Sequence, residues 1–266
     1  MEPELSMKKT ENSGILCGFK NKIREENRRW WGTRKWLIQS AIWSLLINGI
    51  ILVAILQMKQ NPATFSLSGV MDVFAGLMGW MVAFGVIILT QSDVVEEKQS
   101  GTAEWVLSSP LSRESFILSK LSVNFAWLLV IVVLVQGVVF NLIIGLLNVG
   151  TIAWINLAQG LALQGLYLLF WLSLSVMLGV FFKSRSPVIG IPLVFLFLQR
   201  LIPMMAGPSM PEISLWLPAR LPEYSSNLML GHALPSPIPI IVVVAASIVF
   251  LILALLRFKR EEFNAS

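Results

Sequence analysis

The chain has 266 residues, of which 56% are hydrophobic and only 13% charged; soluble domains carry about twice that share of charge. The apolar residues arrive in runs of about twenty, enough helix to cross a hydrocarbon core of about 30 Å, and they leave no interval for a large soluble domain. One cysteine, Cys17, and one histidine, His232, exclude an internal disulfide framework and a Cys/His metal site.

The net charge of +5 sits in the flanks of the apolar runs. That placement is a topology signal and argues against nucleic acid as a partner.

Residues 1–14 are polar and read as a tail. No short apolar core with a small-residue cleavage site appears in the first 35 residues, so a removable signal peptide is not expected and the first span stays in the mature chain. From Ile15 to Trp31 the apolar residues Leu16, Phe19, Ile23 and Trp30 recur at helical intervals among Lys20, Lys22, Arg24, Arg28 and Arg29. The pattern predicts an amphipathic helix in the headgroup layer, its apolar stripe toward the membrane and its cations toward anionic lipid. A helix packed on a partner is the alternative.

Six spans follow: 36–57, 67–90, 121–147, 152–182, 187–205 and 238–256. The fourth is long enough that it must tilt, kink or protrude. Asn148, Val149 and Gly150 form a tight turn before it, and Pro187 suits the first turn of the fifth span. Residues 206–239 are rich in proline yet hold Leu217, Leu221, Leu228 and Leu230. They are too apolar for a solvated loop and are expected to dip into the membrane or pack on the spans.

Every Lys and Arg except Lys59, Arg200 and Arg220 falls in the amino-terminal segment, the second or fourth connection, or the carboxyl end. The positive-inside rule therefore puts 1–35, 92–120, 183–186 and 257–266 in the cytoplasm, and both termini inside. The expected organisation is a tail and interfacial helix over 1–35, a transmembrane domain over 36–257 and a short tail over 258–266.

The connection Ser92–Lys120 is the most informative stretch. Glu96, Glu97 and Lys98 carry the second span out as helix, and Ser100 and Gly101 break it. Thr102 can cap a short helix, Ala103 to Ser108, that exposes Glu104 near its start and Trp105, Val106 and Leu107 as an apolar surface. Ser109 and Pro110 stop it; Ser112 caps the next helix, with Glu114 in its first turn. The simplest reading is a plain connecting hairpin with a solvated charged face. The same arrangement also suits a lever displayed between two membrane helices.

This segment, EEKQSGTAEWVLSSPLSRESFILSK, resembles the coupling segment of the type-2 ABC transporter permeases. Glu97, Gly101, Thr102, Glu104, Leu107, Pro110, Ser112, Arg113 and Lys120 match the family pattern, and Trp105 stands where leucine is more usual. The resemblance extends to the basic entry helix, the six spans, the apolar segment before the last span and the basic end RFKREEF. It implies an all-α permease of an ABC exporter, with the helix around Glu104 seated in an ATP-binding subunit and residues 206–239 forming re-entrant helices. ATPase-coupling roles are implied for Glu97, Gly101, Thr102, Glu104, Trp105, Leu107, Pro110 and Arg113.

The sequence has no G-x-x-x-x-G-K-[ST] phosphate loop. No cofactor is therefore expected on this chain; the resemblance implies that ATP and Mg are held by two copies of a partner ATPase. A second permease copy or a paralogue would complete the pore within the inner membrane. A secondary transporter and a non-transporting scaffold are the alternatives.

Hydrolytic chemistry lacks its residues, because the one histidine lies in a predicted external loop. Asp72 and Arg200 are the two charges inside spans, each about five residues, or roughly 8 Å, below the outer boundary. They are an expected intramembrane pair, with an external gate as its use. Polar residues elsewhere in the spans, including Asn48, Gln136, Asn141, Gln164, Ser173 and Ser175, read mainly as contacts between helices.

Overall fold

The computed structural model describes residues 16–60, 65–91, 95–99, 111–206 and 211–260. Among them all regular structure is helical. Helix α1 (Phe19–Gly32) leads through a turn at Thr33 and Arg34 into α2 (Lys35–Lys59). Then come α3 (Leu67–Thr90), the five-residue α4 (Val95–Gln99) and the long α5 (Arg113–Leu146). Helices α6 (Trp154–Phe181) and α7 (Arg185–Ala206) follow. A 3₁₀ turn (Pro211–Trp216) and α8 (Arg220–Met229) precede α9 (Ile238–Lys259).

Helices α2, α3, α5, α6, α7 and α9 are long and apolar enough to cross a membrane, as a multi-pass membrane protein requires. The second span begins and ends where the apolar run predicts. The third begins eight residues earlier than its apolar core, because Ser112 caps α5 through a hydrogen bond accepted from the Ser115 amide at 3.1 Å. Ser66 caps α3 in the same way, accepting from the Gly69 amide at 3.1 Å.

A π-helical turn interrupts α5 at Leu129–Leu134. There the Gln136 amide donates to the Ile131 carbonyl at 2.7 Å and accepts from Asn48 Nδ2 of α2 at 2.8 Å. The left-handed Asn148 (φ 52°) and Gly150 (φ 157°) make the predicted turn into α6. Asn141 clasps it, donating to the Ile152 carbonyl and accepting from the Ile152 amide.

Helix α6 is the axis of the bundle, packed by α3, α5, α7, α8 and α9. Its 28 residues run unbroken, and Tyr167, Leu168, Trp171 and Leu172 are fully buried. Gly160 is where α8 crosses it: a Cβ there would lie 2.4 Å from Met229 Cγ and 2.8 Å from the Ser225 carbonyl oxygen. Helices α2, α7 and α9 stay at the periphery, with Leu45, Val194 and Ile241 among their exposed apolar side chains. That is the surface hydrocarbon would cover.

Candidate functional site

One cation of the amino-terminal helix lies inside the protein, where the amphipathic pattern expects it outside. Lys22, expected to face lipid, is 3% exposed, and Glu26 is 8% exposed; both face α5. Lys20, Arg24, Arg28 and Arg29 remain exposed. The physical reason is charge pairing. Lys120 of α5 lies 2.9 Å from Glu97 of α4 and 3.3 Å from Glu26 of α1, while Lys22 lies 3.2 Å from Glu26.

Arg29 closes the rim, donating to Glu97 at 2.9 Å and lying 3.5 Å from Glu26. Both buried lysines stand over the Phe116 ring, at 5.7 Å for Lys22 and 5.4 Å for Lys120. Two interior cations thus meet two interior carboxylates, the balance a buried ionic cluster needs. Burial pushes the Glu26 carboxyl up, but Lys120, Lys22 and Arg29 outweigh it and hold the group below its ordinary value. Burial pulls Arg29 down, and Glu26 and Glu97 more than restore it, so its guanidinium is held above its ordinary value.

An aromatic cluster sits beside the ions. Trp30 stacks on Trp127 with ring centroids 5.7 Å apart, Trp31 meets the same ring edge-on at 5.1 Å, and Trp127 Nε1 donates to Asn27 Oδ1 at 3.0 Å. Between α1, α2 and α5, Glu26, Arg29, Lys35, Gln39 and Glu96 line a cavity of about 420 Å³.

The other ends of the bundle join this junction. Arg113 donates to the Lys259 carbonyl at 2.7 Å, at the end of α9 where carbonyls lack helical partners, and Phe116 stacks on Phe258 at 5.3 Å. Gln99 donates to the Lys183 carbonyl at 2.7 Å, and Glu96 pairs with Arg185 at the start of α7. The Ser112 amide donates to the Cys17 carbonyl at 3.1 Å. The residues flanking 100–110 are therefore tied to α1, α5, α7 and α9.

Of the residues expected to couple to an ATPase, Glu97 and Arg113 are in this junction. Gly101, Thr102, Glu104, Trp105, Leu107 and Pro110 lie outside the described residues. Lys22 and Glu26 were missed by sequence reasoning. Their signal was present, since they share the helical face of Phe19, Ile23 and Trp30, where solvated charges do not belong.

At the opposite end, Asp72 and Arg200 line one cavity of about 390 Å³ together with Gly76, Glu223, Ser226 and Asn227. They form no ion pair with each other: Arg200 instead lies over the Trp80 ring at 5.7 Å and crowds Gly79. Helix α8 roofs this region, burying Leu221, Tyr224, Ser225 and Met229 against α6 and α3. The apolar segment before the last span thus packs on the spans.

Residues 45–263 match the family model described as "Protein of unknown function (DUF2705)". The chain belongs to that family. Its matched region contains α3 to α9 and most of α2, and so holds Glu97, Arg113, Lys120, Asp72 and Arg200, while Lys22, Glu26 and Arg29 precede it. No curated protein matches the chain.

Proposed function

We propose that this DUF2705 chain is the membrane permease subunit of an ABC exporter, with its basic end in the cytoplasm of a cell whose inner membrane it spans. Two such subunits, identical or paralogous, would form the pathway, and two separate ATP-binding subunits would drive it through residues 92–120. The observation that carries this reading is the anchoring of that connection on both sides. Glu97 and Glu96 near its start, and Ser112, Arg113 and Lys120 toward its end, engage α1, α5, α7 and α9. A push delivered to this connection would reach four helices through these ion pairs and hydrogen bonds.

The positive-inside pattern supports the orientation, and the resemblance of 96–120 to a type-2 coupling segment supports the partner. Glu104→Lys should insert normally but lose copurification with the ATPase or ATP-driven transport at least tenfold, while Glu104→Gln tests whether charge is the cause. Unchanged complex yield and transport in both variants would remove the docking role. Hydrolysis by the purified chain alone, free of any copurifying ATPase, would end the permease reading. The Asp72–Arg200 cavity favours a second reading, a secondary carrier, which requires flux driven by an ion gradient with no ATPase present.

A further inference from the structure

The cavity between α3, α7 and α8 contains a guanidinium and a carboxylate that do not meet. Arg200 Nε and one terminal nitrogen are buried without a hydrogen-bond partner. Asp72 forms no hydrogen bond or ion pair among the described residues. Glu223, the other acid on the wall, is already paired with Arg220. The cavity therefore offers one cationic and one anionic group, with Ser226 and Asn227 as neutral hydrogen-bonding partners. Two opposite charges on the wall of one cavity would ordinarily close on each other; here Arg200 is held away by the Trp80 ring and by the close approach of Gly79.

We propose that this cavity binds a zwitterionic group, its phosphate or carboxylate on Arg200 and its ammonium on Asp72. A guanidinium suits a two-oxygen anion because its N–H groups form a planar fork. A purely anionic ligand would leave Asp72 repelling it, and a purely cationic one would leave Arg200 unsatisfied. Access from the membrane fits a phospholipid headgroup, since Leu201, Met204 and Met205 leave an exposed apolar surface on α7 just beyond Arg200. A soluble zwitterion carries the same two charges. Gly76 forms part of the wall, and a Cβ there would meet nothing within 4 Å, so the space it leaves belongs to the ligand.

The proposal does not depend on export, because binding is measured on the purified full chain. Native mass spectrometry would follow titration with short-chain phosphatidylethanolamine, short-chain phosphatidylglycerol and glycerophosphoethanolamine. The expected result is a saturable 1:1 adduct with phosphatidylethanolamine, at least tenfold tighter than with phosphatidylglycerol. Asp72→Asn should erase that preference, Arg200→Gln should weaken both lipids at least tenfold, and Gly76→Leu should block binding with both charges still in place.

Equal strength for glycerophosphoethanolamine would assign the site to soluble zwitterions; binding of the lipid alone would assign it to headgroups. No saturable adduct, equal affinity for the two lipids, or a preference that survives Asp72→Asn overturns the proposal. Asp72 is exposed and bonds to no described residue, so Asp72→Asn keeps the test open even if a larger substitution impairs folding.

Discussion

Lys120 and Glu97 meet at 2.9 Å with side chains 2% and 8% exposed, joining the start of the third span to the short helix after the second. Removing one partner strands the other. Lys120→Met leaves Glu97 to Arg29 and Glu26 to Lys22, so the expected loss lies near the lower end of the roughly 3–5 kcal/mol that breaking a buried pair costs. Lys120→Met/Glu97→Gln removes both charges and should recover much of it. Thermal unfolding of the three proteins in one detergent checks this; a double variant as unstable as Lys120→Met would show that a stranded Glu97 charge is not the source of the loss.

The spans were legible because their signal is local. Runs of apolar residues mark α3 and α9, Ser112 marks the start of α5, and Asn148 with Gly150 marks the turn before α6. The ionic junction was not, because its partners are remote: Lys120 reaches Glu26 across 94 positions and Arg29 reaches Glu97 across 68. Helical periodicity assigns a cation to a face, but only tertiary pairing decides whether that face is wet. Asp72 and Arg200, matched in the sequence by their positions along the second and fifth spans, line one cavity. Their failure to pair follows from the Trp80 ring and Gly79, neither of which periodicity can aim at Arg200.

The depressed Glu26 carboxyl makes stability pH-dependent. Because its folded value lies below its ordinary value of 4.5, the cluster's contribution is complete above that value and fades as pH falls toward and through the folded value. Unfolding temperature should therefore hold between pH 7 and 5 and decline below about pH 4.5. Glu26→Gln should lower stability at pH 7 and flatten part of that decline. An identical acid limb in wild type and Glu26→Gln would show that Glu26 contributes nothing to it.

Two glycines should answer differently to the same change. A methyl at Gly160 presses on Met229 and on the Ser225 backbone, so Gly160→Ala should lift α8 from α6 and cost about 1–3 kcal/mol, the range for overpacking. A methyl at Gly76 meets nothing within 4 Å, and Gly76→Ala should be neutral or stabilise by up to about 1 kcal/mol through helix propensity. Paired thermal unfolding measurements decide the matter; equal effects at the two sites would contradict the close α6–α8 crossing.

Orientation is open to a direct test, and burial dictates which positions can report it. Ser225 belongs to the segment expected outside, but it is 1% exposed on the buried face of α8 and would resist any reagent on either side of the membrane. Thr151, Ala233 and Ser184 are exposed, the first two at the end of the bundle away from the ionic junction and the third beside it. In a Cys17→Ala background, Thr151→Cys and Ala233→Cys should react with an impermeant thiol reagent in intact cells, and Ser184→Cys only after the membrane is opened. Lys183 and Arg185 flank Ser184, and the basic α1 and the end of α9 lie at the same pole, which the positive-inside rule puts in the cytoplasm. Labelling of Ser184→Cys in intact cells would invert the chain, put the ionic junction outside, and remove any route by which a cytoplasmic ATPase could act on residues 92–120.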